Sequence, residues 1–187
     1  MKELSLNILD VSENSMKAGA TRVEILINES DERLQIEIKD NGRGMTPEIL
    51  SSVTDPFCTT RTTRKVGMGI PLFKLAAEQT GGEMTITSST EIGNSGTVLR
   101  ATFDTKSIDF MPVGDIISTI CVLISGDPDI RFIFRDTDPR GEVSLDTSEI
   151  RAVLGDEISL AEPEVVSWIS SYLKEQYEER ENKNNIQ

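Results

Sequence analysis

Asp10 and Asn14 stand four residues apart in an amphipathic stretch near the N-terminus, so on a helix both side chains leave one face. An amide oxygen suits Mg²⁺, which takes hard oxygen donors and fills the rest of its shell with phosphates and water. A carboxylate one turn away can orient a water or a hydroxyl for attack on a phosphate. Asp40 ends a run of alternating apolar residues and leads into Asn41-Gly42-Arg43-Gly44-Met45. A carboxylate in an apolar pocket can accept the exocyclic amine of adenine, and glycines let the backbone come close to a ligand. Thr59, Thr60, Arg61, Arg64 and Lys65 gather the hydroxyls and cations that polyphosphate oxygens need. Gly67-Met68-Gly69 then opens a helix, whose N-terminal N–H groups and dipole favour an anion. Each pattern alone also has a plainer reading: a solvated helix face, a hairpin turn at Asp-Asn-Gly, or a surface loop ahead of a helix begun by Pro71.

These groups need elements to hold them. Hydrophobic spacing predicts a helix over 4–18, with Leu6, Leu9 and Met16, and beside them Ile8 and Val11, turned inward. Val23, Ile25 and Ile27 alternate, as do Leu34, Ile36 and Ile38, which predicts a hairpin turning at 28–31. A short helix over 47–53, a loop over 55–69, a helix through Gln79 stopped by Gly81-Gly82, and a strand pair over 83–88 and 96–103 follow. This order predicts an α+β sandwich with helices on one face of a mainly antiparallel sheet.

From Thr105 the pattern changes. A helix over 113–124, strands over 130–134 and 142–145, and a short helix capped by Asp146 or Thr147 are expected. Pro163 opens a last helix carrying Val165, Trp168, Ile169, Tyr172 and Leu173 on one face, with Trp168 and Tyr172 expected in the core. The expected organisation is a domain over 1–104 with a smaller α+β extension over 105–187.

Composition narrows the function classes. Of 187 residues, 19 are Lys or Arg and 32 Asp or Glu, a formal net charge of −13. Such a surface repels nucleic-acid phosphates and anionic membranes, so neither is expected as a direct partner. No apolar run reaches the ~18 residues that would span a bilayer. Two cysteines fit a reducing, cytoplasmic setting rather than a disulfide framework. The chain has no histidine, which excludes that side chain as base, metal ligand or phosphoacceptor.

In combination the motifs resemble the GHKL superfamily of ATPases, which includes DNA gyrase, the heat-shock chaperone ATPase, histidine kinases and MutL-type mismatch-repair proteins. Val11-Ser12-Glu13-Asn14-Ser15-Met16-Lys17-Ala18-Gly19-Ala20-Thr21 is similar to the MutL-type first helix. Asp40-Asn41-Gly42-Arg43-Gly44-Met45 resembles the first glycine box, and Asp55-Pro56-Phe57-Cys58-Thr59-Thr60-Arg61 the lid of histidine kinases. Gly67-Met68-Gly69-Ile70 resembles the second glycine box, with Gly81-Gly82 and Gly96-Thr97 where that family places them.

The likeness covers residues 1 to 104 and implies the Bergerat-type two-layer fold with ATP and Mg²⁺ as cofactors. It implies Asn14 as the Mg²⁺ ligand, Asp10 as the catalytic carboxylate and Asp40 as the adenine reader. Gly42 and Gly44 would shape the pocket, with Met45 beneath the base. Thr59, Thr60, Arg61, Lys65, Gly67, Met68, Gly69 and Ile70 would close over the phosphates, and Thr97 would support the adenine side. The MutL type carries Glu where this chain has Asp10. ATP hydrolysis, or phosphoryl transfer to a protein partner as in the anti-sigma-factor serine kinases, is the expected function. A non-catalytic, nucleotide-gated interaction module is the alternative. A protein partner or a homodimer is expected with either.

Overall fold

The computed structural model describes residues 3–53, 68–155 and 157–183. Among them are helix α1 (Leu4–Lys17), strands β1 (Arg22–Ser30) and β2 (Arg33–Asp40), helices α2 (Pro47–Val53) and α3 (Gly69–Gln79), and strands β3 (Met84–Ser89) and β4 (Gly96–Asp104). Then follow α4 (Ile116–Gly126), β5 (Arg131–Asp138), β6 (Gly141–Asp146), α5 (Thr147–Leu154) and α6 (Pro163–Asn182).

All six strands join one sheet in the order β3-β4-β2-β1-β5-β6. Every pairing is antiparallel except β1 with β5. The elements after Thr105 therefore extend the same sheet: Val23 lies beside Phe132 and Ile25 beside Phe134.

Strand alternation gives the sheet one buried face. Val23, Ile25, Ile27, Leu34, Ile36, Ile38, Leu99, Ala101 and Phe103 point to one side, and Phe132, Phe134, Val143 and Leu145 continue it. Each fully buried side chain of this kind contributes roughly 1.5–3 kcal/mol. Helices α1 and α3 lie against β2, β3 and β4, α4 packs beside α1, and α6 packs on α4 and β6. The opposite face is wet and carries ion pairs: Arg22 and Lys39 with Glu24, Arg100 with Glu37, Arg131 with Asp146. This is the predicted α+β sandwich.

Two helix phases differ from the sequence reading. In α1 the buried positions are Leu4, Ser5, Asn7, Ile8, Val11, Ser12 and Ser15, while Leu6 is exposed. Four of those seven are polar, so apolar periodicity under-reads the buried face and tips it toward Leu6. In α6 the buried stripe is Val165, Ile169, Leu173 and Arg180. Trp168 and Tyr172 stand one position off it, 52% and 38% exposed, and are not core residues. Their rings stack on each other, centroids 5.1 Å apart and 9° from parallel.

Helix α6 is fastened to the sheet by a buried polar cluster. Arg180 donates from one guanidinium nitrogen to the Asp136 carbonyl and to its Oδ1, both at 3.0 Å. Its Nε lies 3.3 Å from Asp138 Oδ2. Tyr177 donates its hydroxyl to Asp136 Oδ2 at 2.6 Å, and its ring sits under the Arg180 guanidinium. Burial, reinforced by the Asp136 carboxylate, pushes the Tyr177 phenol up. One turn earlier Gln176 covers the outer edge of β6, accepting from Ser144 N–H and donating to Ser144 C=O, each at 3.0 Å.

Candidate functional site: the Asp40 pocket

The register of the sheet builds one wall. Asp40 is the last residue of β2, opposite Thr97 on β4, and Thr97 is opposite Ser88 on β3. All three share the parity of the buried face, so they form a polar row at the end of an apolar sheet, beneath α1. Asp40 is held from two sides. Ser15 donates its hydroxyl to Oδ2 at 2.8 Å, and Gly42 donates its backbone N–H to Oδ1 at 2.8 Å. A carboxylate has about four lone-pair sites, so each oxygen keeps capacity for a further donor.

The turn after Asp40 is fixed by neighbouring backbone. Asn41 accepts from the N–H groups of Thr21 and Arg22 and donates to the Thr21 hydroxyl, tying the turn to the start of β1. Arg43 N–H donates to Ala18 C=O at the end of α1. Gly44 has φ +70, and a Cβ there would fall 1.9 Å from the Ser89 carbonyl oxygen. No side chain fits, so glycine is required on both conformational and steric grounds. Met45 donates its N–H to Ser88 Oγ at 2.8 Å, and its side chain packs against the core. Ser88 Oγ also bonds Gly96 C=O and the Thr97 hydroxyl, both at 2.9 Å, which locks the two ends of the β3–β4 hairpin to the turn.

The other wall is helical. Asp10 is exposed on α1, and Asn14, one turn later, is half-buried. Among the described residues neither side chain has a hydrogen-bond partner. The start of α3 comes against Asp10: a Cβ on Gly69 would fall 2.7 Å from the Asp10 Cβ and 3.4 Å from its Oδ2. The second glycine motif thus lets the α3 N-terminus approach the Asp10–Asn14 helix more closely than any side chain would permit. Among the described residues no side chain caps that terminus, so its first N–H groups stay available to an anion. Pro71, expected to begin this helix, is its third residue. Ile70 is buried and anchors the turn, while Met68 is 62% exposed.

The structure thus places Asn14, Asp40, Gly42, Gly44, Met45 and Thr97 around the C-terminal end of α1, and sets Gly69, followed by Ile70, against Asp10 near its middle. Thr59, Thr60, Arg61, Lys65 and Gly67 lie outside the described residues. Ser15 and Ser88 were missed by sequence reasoning. Ser15 carries a signal only in retrospect, because it follows Asn14 on the turn that faces the sheet. Ser88 could have been found from strand parity, two positions from Ile86 on the inward side.

Comparison with known proteins identifies the family and the fold. The family described as histidine kinase-, DNA gyrase B-, and HSP90-like ATPase matches residues 2–107, more than half of the chain. A putative sensor histidine kinase NtrY-like of Rickettsia felis is 24% identical over 110 residues, covering 58% of this chain and 18% of that protein. The mismatch repair endonuclease pms1 of Dictyostelium discoideum is 41% identical over 59 residues, covering 32% of this chain and 6% of that protein. The chain thus aligns with under a fifth of the length of these relatives. Among solved structures, the Aquifex aeolicus MutL ATPase domain complexed with ADP superposes with a TM-score of 0.51 at 17% identity, covering 82% of this chain and 69% of that one. The fold is the same even though few residues are shared. On the extent of the family match, the chain belongs to the histidine kinase-, DNA gyrase B-, and HSP90-like ATPases.

Proposed function

We propose that this chain binds ATP with Mg²⁺ in the Asp40 pocket and passes the terminal phosphoryl group to water or to a side chain of a partner protein. The observation that carries this reading is that one helix, α1, meets both glycine motifs, Asp40 and Gly42 near its C-terminal end and Gly69 at Asp10 near its middle. Asp40 is braced by Ser15 and Gly42, and Asp10 lies against Gly69.

The residues fit the cofactor. Asn14 offers an amide oxygen with no competing hydrogen bond among the described residues, a hard donor that suits Mg²⁺ rather than a softer metal, and Asp10 one turn earlier is equally unengaged. The uncapped α3 N-terminus beside them suits a phosphate. Bound Mg²⁺ would supply charge neutralisation to the triphosphate. The protein's own part is positioning. Asp40 accepts the adenine amine, Thr97 and Ser88 hold the neighbouring rung, and Asp10 orients the attacking hydroxyl or water. Since these 187 residues contain no histidine, an acceptor imidazole would have to come from outside them.

A second reading has one observation in its favour. Asp10 is one methylene shorter than the Glu of the MutL type and stands exposed, which suits a domain that binds nucleotide to gate an interaction and turns it over poorly. Phosphate release from the purified chain separates the two. Under the enzyme reading Asp10→Asn lowers turnover by about two to four orders of magnitude, the usual scale of a general base, while ATP affinity stays within a few-fold. Firm binding with no turnover, alone or with partners, would establish the gating module instead.

A further inference from the structure

The far end of the sheet carries a second concave surface, remote in sequence from the Asp40 pocket. A cavity of about 910 Å³ opens between β5, β6, α5 and the first half of α6. Its floor includes the buried Leu145, Ile150 and Val165. Its lip is formed by apolar side chains that the fold leaves in water: Val153 at 85% exposure, Ile158 at 41%, and the stacked Trp168 and Tyr172. Four large apolar groups around one opening are more than the scattered exposure of an ordinary surface. Around them stand Glu149, Glu162 and Glu164. Arg135 is the one cation among the described lining residues, and Asp146 is already paired with Arg131.

We infer that this groove docks a basic amphipathic helix of a partner protein, its apolar stripe against Trp168, Tyr172, Val153 and Ile158 and its flanking Lys or Arg side chains against the glutamates. Three features select that occupant. An extended strand cannot add fully to the open edge of β6, because Gln176 already fills the rung at Ser144 from both sides. A second copy docked face to face would bring the acidic rims of the two grooves, each with Glu149, Glu162 and Glu164, against one another, and each chain already carries −13. An anionic membrane surface meets the same repulsion. A cationic helix meets none of these obstacles, and a helix laid in an apolar groove is an established mode of recognition. This inference does not depend on nucleotide binding at Asp40.

Trp168 is the only tryptophan of the chain, so its emission reports on this groove directly. The full chain is titrated with a synthetic Leu/Lys amphipathic peptide of about five helical turns. Controls are a scrambled peptide of equal composition and a Leu/Glu peptide with the same apolar stripe. The expected result is saturable binding with a blue shift of Trp168 emission for the Leu/Lys helix alone. Val153→Asp, at a position exposed enough to spare the fold, and the pair Glu162→Lys with Glu164→Lys should each weaken that binding about tenfold or more, equal to ~1.4 kcal/mol. Circular dichroism and the thermal midpoint of each variant verify folding. Equal binding of the scrambled or Leu/Glu peptide, no binding at all, or indifference to Val153→Asp overturns the inference. So does a dimer in sedimentation that Val153→Asp dissolves, which would give the groove to a second copy.

Discussion

The pocket at Asp40 and the groove at Trp168 lie at opposite ends of one sheet and are built from opposite materials. Around Asp40 the walls are backbone and short polar side chains: Gly44 against the Ser89 carbonyl, Gly69 against Asp10, Ser88 bridging Met45 to Thr97. At Trp168 the wall is made of large apolar side chains left over when α6 turned Val165, Ile169 and Leu173 inward. The first surface is fixed by contacts that admit no Cβ. The second is set by helix phase and has freedom to adapt. A site that must grip a small polar ligand needs the first kind of wall, whereas a site for another protein's helix works with the second.

The difference can be broken from the C-terminal end. Arg180→Ala leaves the buried Asp136 without its counter-charge and Asp138 with Arg140 alone, and chemical denaturation should register a loss of about 3–5 kcal/mol. The Asp40 pocket lies on the other side of β1, so the fraction that stays folded should keep its nucleotide affinity. If affinity falls in step with stability, the two ends are one cooperative unit and the contrast drawn here fails.

A smaller effect sharpens the other end. Ser15→Ala removes one of the two donors on Asp40. The expected change is a rise of about five- to tenfold in the dissociation constant for ATP, near 1 kcal/mol, with stability altered by less than that. Fluorescence titration beside a denaturation curve checks both, and an unchanged affinity would mean that Gly42 alone aims the carboxylate.

A further effect is a pH dependence at the C-terminal end. Hydrogen bonds from the Arg131 guanidinium, aided by the α5 cap at Ser148, hold the Asp146 carboxyl at about 2, below the ordinary 3.8 of the unfolded chain. The sign follows from the depression. The stabilisation is complete above the unfolded value and is lost as pH falls from about 4 through 2. Asp146→Asn, which keeps a capping oxygen, should flatten stability across that window, as acid titration of thermal midpoints can test.

How much of this was legible in the sequence follows the same division. Gly44, Gly69 and Asp40 could be read because close backbone approach demands a residue type, and residue types are written in the chain. The hairpin of β1 and β2 was equally plain, since Val23, Ile25 and Ile27 alternate without interruption. Leu6 and Trp168 were misplaced for a shared reason. Helix phase is decided by what the helix packs on, and the buried faces of α1 and α6 include Ser12, Ser15 and Arg180, which periodicity counts as surface. The parallel pairing of β1 with β5 was invisible, because it joins residues more than a hundred positions apart through backbone bonds that no side chain announces.

The most direct test of the central claim is calorimetric titration of the chain with ATP, ADP and GTP, with and without Mg²⁺, beside the Asp40→Asn variant. A carboxylate complements the adenine amine and opposes the guanine carbonyl. Adenine nucleotides should therefore bind roughly ten- to a hundredfold more tightly than GTP, a gap of about 1–3 kcal/mol that closes in the variant. Equal affinity for GTP, or an Asp40→Asn chain that binds ATP as the parent does, would place the base somewhere other than at Asp40.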